Sequence, residues 1–127
     1  MEIIGNTIRI NRGNHLLFDF QIESGDEIYE FVENDIIRFS IYEAKGLNKE
    51  PILQKEFPTT IGSDTVTIDI PKEEMKIGEM LNKPKTYWYE ITLNEETVLG
   101  YDDDGAKQLI LDPEGSDLVD TDTEDNG

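Results

Sequence analysis

Apolar and polar residues alternate one for one along most of this chain, and that period confines it to strands with one buried face. Leu16, Phe18, Phe20 and Ile22 share a side, with Leu17, Asp19 and Gln21 opposite. Ile37, Phe39 and Ile41 alternate with Arg38, Ser40 and Tyr42, and Val66, Ile68 and Ile70 with Thr65, Thr67 and Asp69. The strongest run is Thr86 to Leu93, where Tyr87, Tyr89, Ile91 and Leu93 oppose Thr86, Trp88, Glu90 and Thr92. Shorter pieces with the same character are Thr7–Ile10, the charged Ile52–Phe57, Thr97–Tyr101 and Lys107–Leu111. Lys55 and Glu56 mark Ile52–Phe57 as an edge strand, since charge on an edge discourages pairing with another chain.

Turn chemistry separates these pieces. Glu23-Ser-Gly-Asp26 is a turn, since Gly and Asp accept positive φ or bond their own backbone, and Asn94-Glu95-Glu96 turns into the next piece; Asn34-Asp35 opens the strand of Ile37 to Ile41, and Ser63-Asp64 precedes that of Val66 to Ile70. Residues 44–50 read as a loop. One segment departs from period two: Pro71 to Asn82, with proline at a first helical position, Glu73 and Glu74 in the first turn, and Ile77, Met80 and Leu81 at helical spacing. Gly78 costs about 1 kcal/mol in a helix interior, so the spacing predicts one short helix over about 71–82. Seven to eight short strands at such spacing predict an all-β, antiparallel β-sandwich occupying residues 1–111.

The 127 residues suit a single domain. Charge distribution then marks off the rest. Residues 1–101 hold 19 acids against 10 bases, and residues 102–127 hold 10 acids against Lys107 alone, so half of the net −18 falls in the last fifth. Residues 112–127 read as an acidic, flexible tail. A field of this sign opposes binding to nucleic acid or anionic lipid, both of which want Lys/Arg patches. No signal peptide and no apolar run of about 18 residues is visible, which predicts a soluble cytoplasmic protein.

Candidate chemistry is sparse. With no cysteine, thiolate zinc sites, disulfides and cysteine nucleophiles are excluded. His15 is the only histidine, in the turn Asn11-Arg-Gly-Asn-His, so a triad or an imidazole metal site has a single residue to build on. No paired carboxylates stand out among 29 acids, and no glycine-rich phosphate loop is present. Neither a catalytic set nor a cofactor is expected. Asp102-Asp103-Asp104-Gly105 places hard oxygen ligands in a row, but only part of a calcium-loop order is followed, and Glu114 falls one place late. An Asp-Gly hairpin turn explains the same residues, with weak cation binding by Asp102, Asp103 and Asp104 as the alternative. The interaction candidates are Trp88, Tyr42 and Tyr101, because surface aromatics concentrate in interfaces and sugar platforms. A neighbouring loop or the 71–82 helix would otherwise cover Trp88.

Three stretches carry a family resemblance: Phe18-Asp-Phe-Gln-Ile, Tyr29 through Ile41, and Tyr87-Trp-Tyr-Glu-Ile-Thr-Leu. Over roughly residues 5–111 the chain resembles small proteins of phages and prophages of Gram-positive bacteria, related to the immunoglobulin-like N-terminal domain of upper baseplate proteins. Val98 to Lys107 departs from the shorter Thr-rich hairpin of those relatives, and no fibre or receptor-binding extension follows. The resemblance implies an immunoglobulin-like sandwich and a non-enzymatic virion structural protein of the tail or baseplate. Its partners would be other tail proteins or further copies of itself, first in the host cytoplasm and then in the virion. The alternatives are a carbohydrate-binding module that stacks sugars on Trp88 or Tyr101, and an acidic DNA-mimic inhibitor of a basic protein.

Overall fold

The computed structural model describes residues 1–43, 50–79, 82–99 and 107–114. Its strands are β1 Glu2–Ile4, β2 Thr7–Asn11, β3 Leu16–Phe20, β4 Glu23–Ser24, β5 Glu27–Ile28 and β6 Ile36–Tyr42. They continue with β7 Leu53–Pro58, β8 Val66–Ile70, β9 Lys85–Leu93, β10 Glu96–Leu99 and β11 Lys107–Asp112. The main sheet has the order β1-β2-β11-β9-β6-β7, with β10 also paired to β9. Strands β3 and β8 form a second, two-stranded layer, and β4 with β5 makes a small separate hairpin. The fold is all-β and sandwich-like, as the alternation predicts.

Parity decides which side of each strand is buried. Ile37, Phe39 and Ile41 of β6, Tyr87, Tyr89 and Ile91 of β9, and Leu109 and Leu111 of β11 all face inward and are buried. Leu16, Val66, Ile68 and Ile70 of the second layer meet them. Phe39 sits at the centre, stacked on Tyr89 at 5.5 Å between ring centroids and met edge-on by Phe18 at 6.3 Å. These are the offset and T-shaped geometries that the ring quadrupole favours.

Two departures from the sequence reading have physical causes. The expected helix shrinks to a 3-10 turn, Lys72–Met75. Lys76 leaves helical geometry at ψ 64°, and Gly78 has φ +66°, which no helix residue adopts. The Tyr87 hydroxyl comes within 2.7 Å of where a Cβ on residue 78 would lie, so only glycine fits. Met80 and Leu81 lie outside the described residues. Second, one pairing is parallel: β11 runs alongside β2, matching Leu109 with Ile8 through Asp112 with Asn11. Alternation reveals a strand's buried face but not the direction of its neighbour.

The last strand also extends its ties past residue 111. Asp112 is buried and takes a bidentate contact from Arg9 at 2.9 and 3.0 Å. Asn11 donates to the Pro113 carbonyl and Arg12 to Glu114. Arg12 also donates to the carbonyls of Lys76, Ile77 and Gly78, filling the acceptors that the abandoned helix leaves open.

Candidate functional site

Residues of the other parity form the outer face of the main sheet, and among the described residues no second layer covers it. Register arranges this face in rows. Gln108, Trp88 and Tyr42 lie side by side on β11, β9 and β6. Glu90, Ser40 and Gln54 make the next row, and Thr97, Thr92, Arg38 and Glu56 the one after. Both aromatics are half-buried. The 3-10 turn does not lie over Trp88, since Met75 is buried in the core and Glu74 meets Lys55 on the inward side of β7.

Hydrogen bonds stiffen this surface. The Tyr42 hydroxyl donates to Glu90 at 3.1 Å, Thr97 donates to the other oxygen of Glu90, and Gln54 donates to Ser40 at 3.0 Å. Burial pushes the Tyr42 phenol pKa up; the Ser40 hydrogen bond opposes this and the nearby Glu90 charge adds to it. Tyr42 is therefore a neutral donor at physiological pH. Rigid aromatics with few torsions to immobilise are effective contact residues.

Past the third row the face dips into an open groove of about 250 Å³, lined by Ile36, Arg38, Glu56, Thr92, Asn94 and Glu95. Arg38 donates to Glu56 at 2.7 Å. The Thr92 hydroxyl is buried and finds no hydrogen-bond partner among the described residues. Asn94 and Glu95, the turn between β9 and β10, have φ +51° and +74°. Asparagine tolerates that region, whereas glutamate seldom enters it.

Behind the groove lies a buried carboxylate. Asp35 accepts from the Val32 backbone N–H at 2.9 Å, the Tyr29 hydroxyl at 2.7 Å and Asn94 Nδ2 at 2.8 Å. The Val32 N–H and then the Tyr29 hydroxyl hold its pKa below the ordinary value, against the opposing pull of burial. Asn94 Oδ1 in turn accepts the Ile36 N–H, so one network fixes both turns that flank the groove. Each of these contacts of Asp35 holds a turn or strand in place.

The structure brings Trp88 and Tyr42 together as register partners. Tyr101 and the candidate cation residues Asp102, Asp103 and Asp104 lie outside the described residues. Among the described residues on either side, Leu99 is the register partner of Ile91 and Lys107 that of Tyr89, both on β9. His15 pairs with Asp69 at 2.6 Å on the exposed side of the second layer. Among the described residues no three His, Asp or Glu side chains gather as a metal site. No described helix is long and apolar enough to cross a membrane. Sequence reading overlooked the Arg38–Thr92–Glu95 groove, since it depends on pairings between distant strands. The one available signal was Glu95 beside Asn94 in a tight turn, where glycine would be the ordinary choice.

No family model, curated protein or solved structure matches the chain.

Proposed function

We propose that this chain is a non-enzymatic binding and assembly module, a phage or prophage virion structural protein associated with the tail or baseplate. The observation that best supports this reading is the outer face of the main sheet, where Tyr42 and Trp88 lie adjacent on two central strands. Aromatics on a flat, hydrogen-bonded surface suit contact with another protein. Buried Asp35 and half-buried Arg12 are engaged in holding turns and strands, which is a structural role. Edge strand β1, with Ile3 and Ile4 exposed, adds a second surface open to pairing by strand addition. The resemblance of Phe18–Ile22, Tyr29–Ile41 and Tyr87–Leu93 to baseplate-type domains supplies the biological setting.

The test is affinity capture from an induced lysogen with the tagged full chain, alongside its solution mass. Recovery of tail or baseplate proteins that Trp88→Ala and Tyr42→Ala diminish supports the reading. A strictly monomeric chain that recovers no virion component overturns it. The Trp88–Tyr42 pair also favours a second reading, a carbohydrate-binding module. A glycan array showing signal that a folded Trp88→Ala variant loses would select it instead.

A further inference from the structure

We propose that the free edge of β3 receives an extended strand from a partner protein, one that alternates apolar side chains with lysine or arginine. This edge lies on the layer opposite the Trp88–Tyr42 face, so the inference goes beyond the contact proposed above.

The second layer is short of strands. Six strands run in line across the main sheet, and only β3 and β8 form the layer that packs on them. Strand β8 approaches β7 of the main sheet. Among the described residues, β3 has β8 on one flank and no strand on the other. Burial records the gap. Val66, Ile68 and Ile70 on the inward side of β8 are buried, as is Leu16 of β3, but Phe18 and Phe20 on that same side stay half-buried. A strand laid along the open flank would cover both rings.

Nothing on β3 blocks such an addition. Outer strand β7 turns Lys55 inward, a device that deters pairing. Leu16-Leu-Phe-Asp-Phe20 has no lysine and no proline, and its register with β8 runs without a bulge. Its one charge, Asp19, accepts the Thr67 hydroxyl at 2.8 Å and is drawn toward β8. The five residues present about 17 Å of edge. The backbone ladder would supply the grip, and the side chains the choice of partner.

Parity and charge define that choice. Inward side chains of the added strand meet Phe18 and Phe20 and must be apolar. Outward ones fall in rows already fixed by register, one with Leu17 and Asp69 and the next with Asp19 and Thr67. Strands β3 and β8 carry those two acids and no lysine or arginine. Asp69 meets His15 at 2.6 Å, so Asp19 is the carboxylate that a base on the new strand addresses. A second base can lay its stem on Leu17, which is 47% exposed. A second copy of this chain would instead add two more acids to the same surface, against a net −18 on each copy.

The experiment titrates the 15N-labelled full chain with a capped heptapeptide in which lysine and valine alternate, followed by amide shifts and hydrogen exchange. Saturable binding is expected, with shifts centred on Leu16–Phe20 and slowed exchange at alternate amides of β3. A peptide of the same composition with its valines in one block should bind about tenfold more weakly or worse. Replacing its lysines by glutamates should do the same, and methylating its backbone nitrogens should abolish binding, because only the ladder is lost. Asp19→Lys should narrow the gap between lysine and glutamate peptides about threefold or more, a change of preference that mere unfolding would not give. Equal binding of the blocked peptide, binding that survives methylation, shifts scattered over acids outside β3, or no saturable binding overturns the proposal. So does a mass that rises with concentration while the β3 amides become protected without peptide, which assigns the edge to a second copy. None of these measurements involves a virion component, so their failure is distinct from failure of the affinity capture.

Discussion

Asp35 shows how much a single buried carboxylate can organise. Its oxygens gather a backbone N–H, a phenol and an amide, and its own carbonyl accepts from Thr59 at 2.9 Å. Because the folded carboxyl titrates below its ordinary value, its stabilisation is complete above the usual carboxylate range. It is lost as pH falls through the lowered value. Asp35→Asn should therefore cost about 1–3 kcal/mol at neutral pH and flatten the acid limb of a stability-versus-pH curve measured by urea unfolding. Sequence reading recognised Asp35 only as the opener of a strand. Its partner Asn94 is 59 residues away, and a local pattern carries no trace of such a bond. Gly78 was legible as an obstacle to a helix, but the reason it must be glycine was not. Gly78→Ala has to accommodate both a positive φ and the Tyr87 hydroxyl at 2.7 Å, so a loss of about 1–3 kcal/mol is expected. Tyr87→Phe in the same chain should recover part of that loss, readable by a double-mutant thermal series.

At the scale of elements, alternation identified the faces of β3, β6, β8 and β9 correctly, because each has one apolar side long enough to set the period. Strand β1 escaped notice because all three of its residues are exposed and no alternation exists to detect. Strand β7 was legible as an edge, and the structure adds the mechanism. Leu53, Lys55 and Phe57 share its inward side, so Lys55 is a charge aimed toward the core side, where Glu74 of the 3-10 turn meets it at 3.0 Å. An inward lysine on an outermost strand makes joining to another sheet unfavourable. Lys55→Leu should leave the monomer folded but promote self-association, visible as a concentration-dependent mass by light scattering. The β9–β10 turn presents the opposite balance, a residue kept at some conformational expense. Glu95→Gly should raise stability by about 1 kcal/mol in thermal unfolding, since glycine enters the left-handed region without a Cβ clash.

For the whole molecule, the layers and their shared core were legible from the sequence, whereas strand order was not. Order is decided by which faces and edges meet, and nothing in Thr7–Ile10 or Lys107–Leu111 says that they lie together. The join between them is reinforced by the bidentate Arg9–Asp112 pair and by the bonds from Asn11 and Arg12 to Pro113 and Glu114. Ending the chain after Leu111 removes all of these, whereas ending it after Glu114 keeps them. The shorter product should melt at least about 5 °C below the longer by calorimetry.

The parallel seam between β2 and β11 also has a consequence for synthesis. While the chain is being made, β2 emerges long before its partner, with Arg9 and Asp112 separated by 103 positions. Until then the side of β2 that will meet β11, and the matching flank of β9, have no ladder to complete them. The final closure of the sheet is thus a long-range, slow event. A pulse of newly made protein should pass through a protease-sensitive interval that ends only after β11 has emerged.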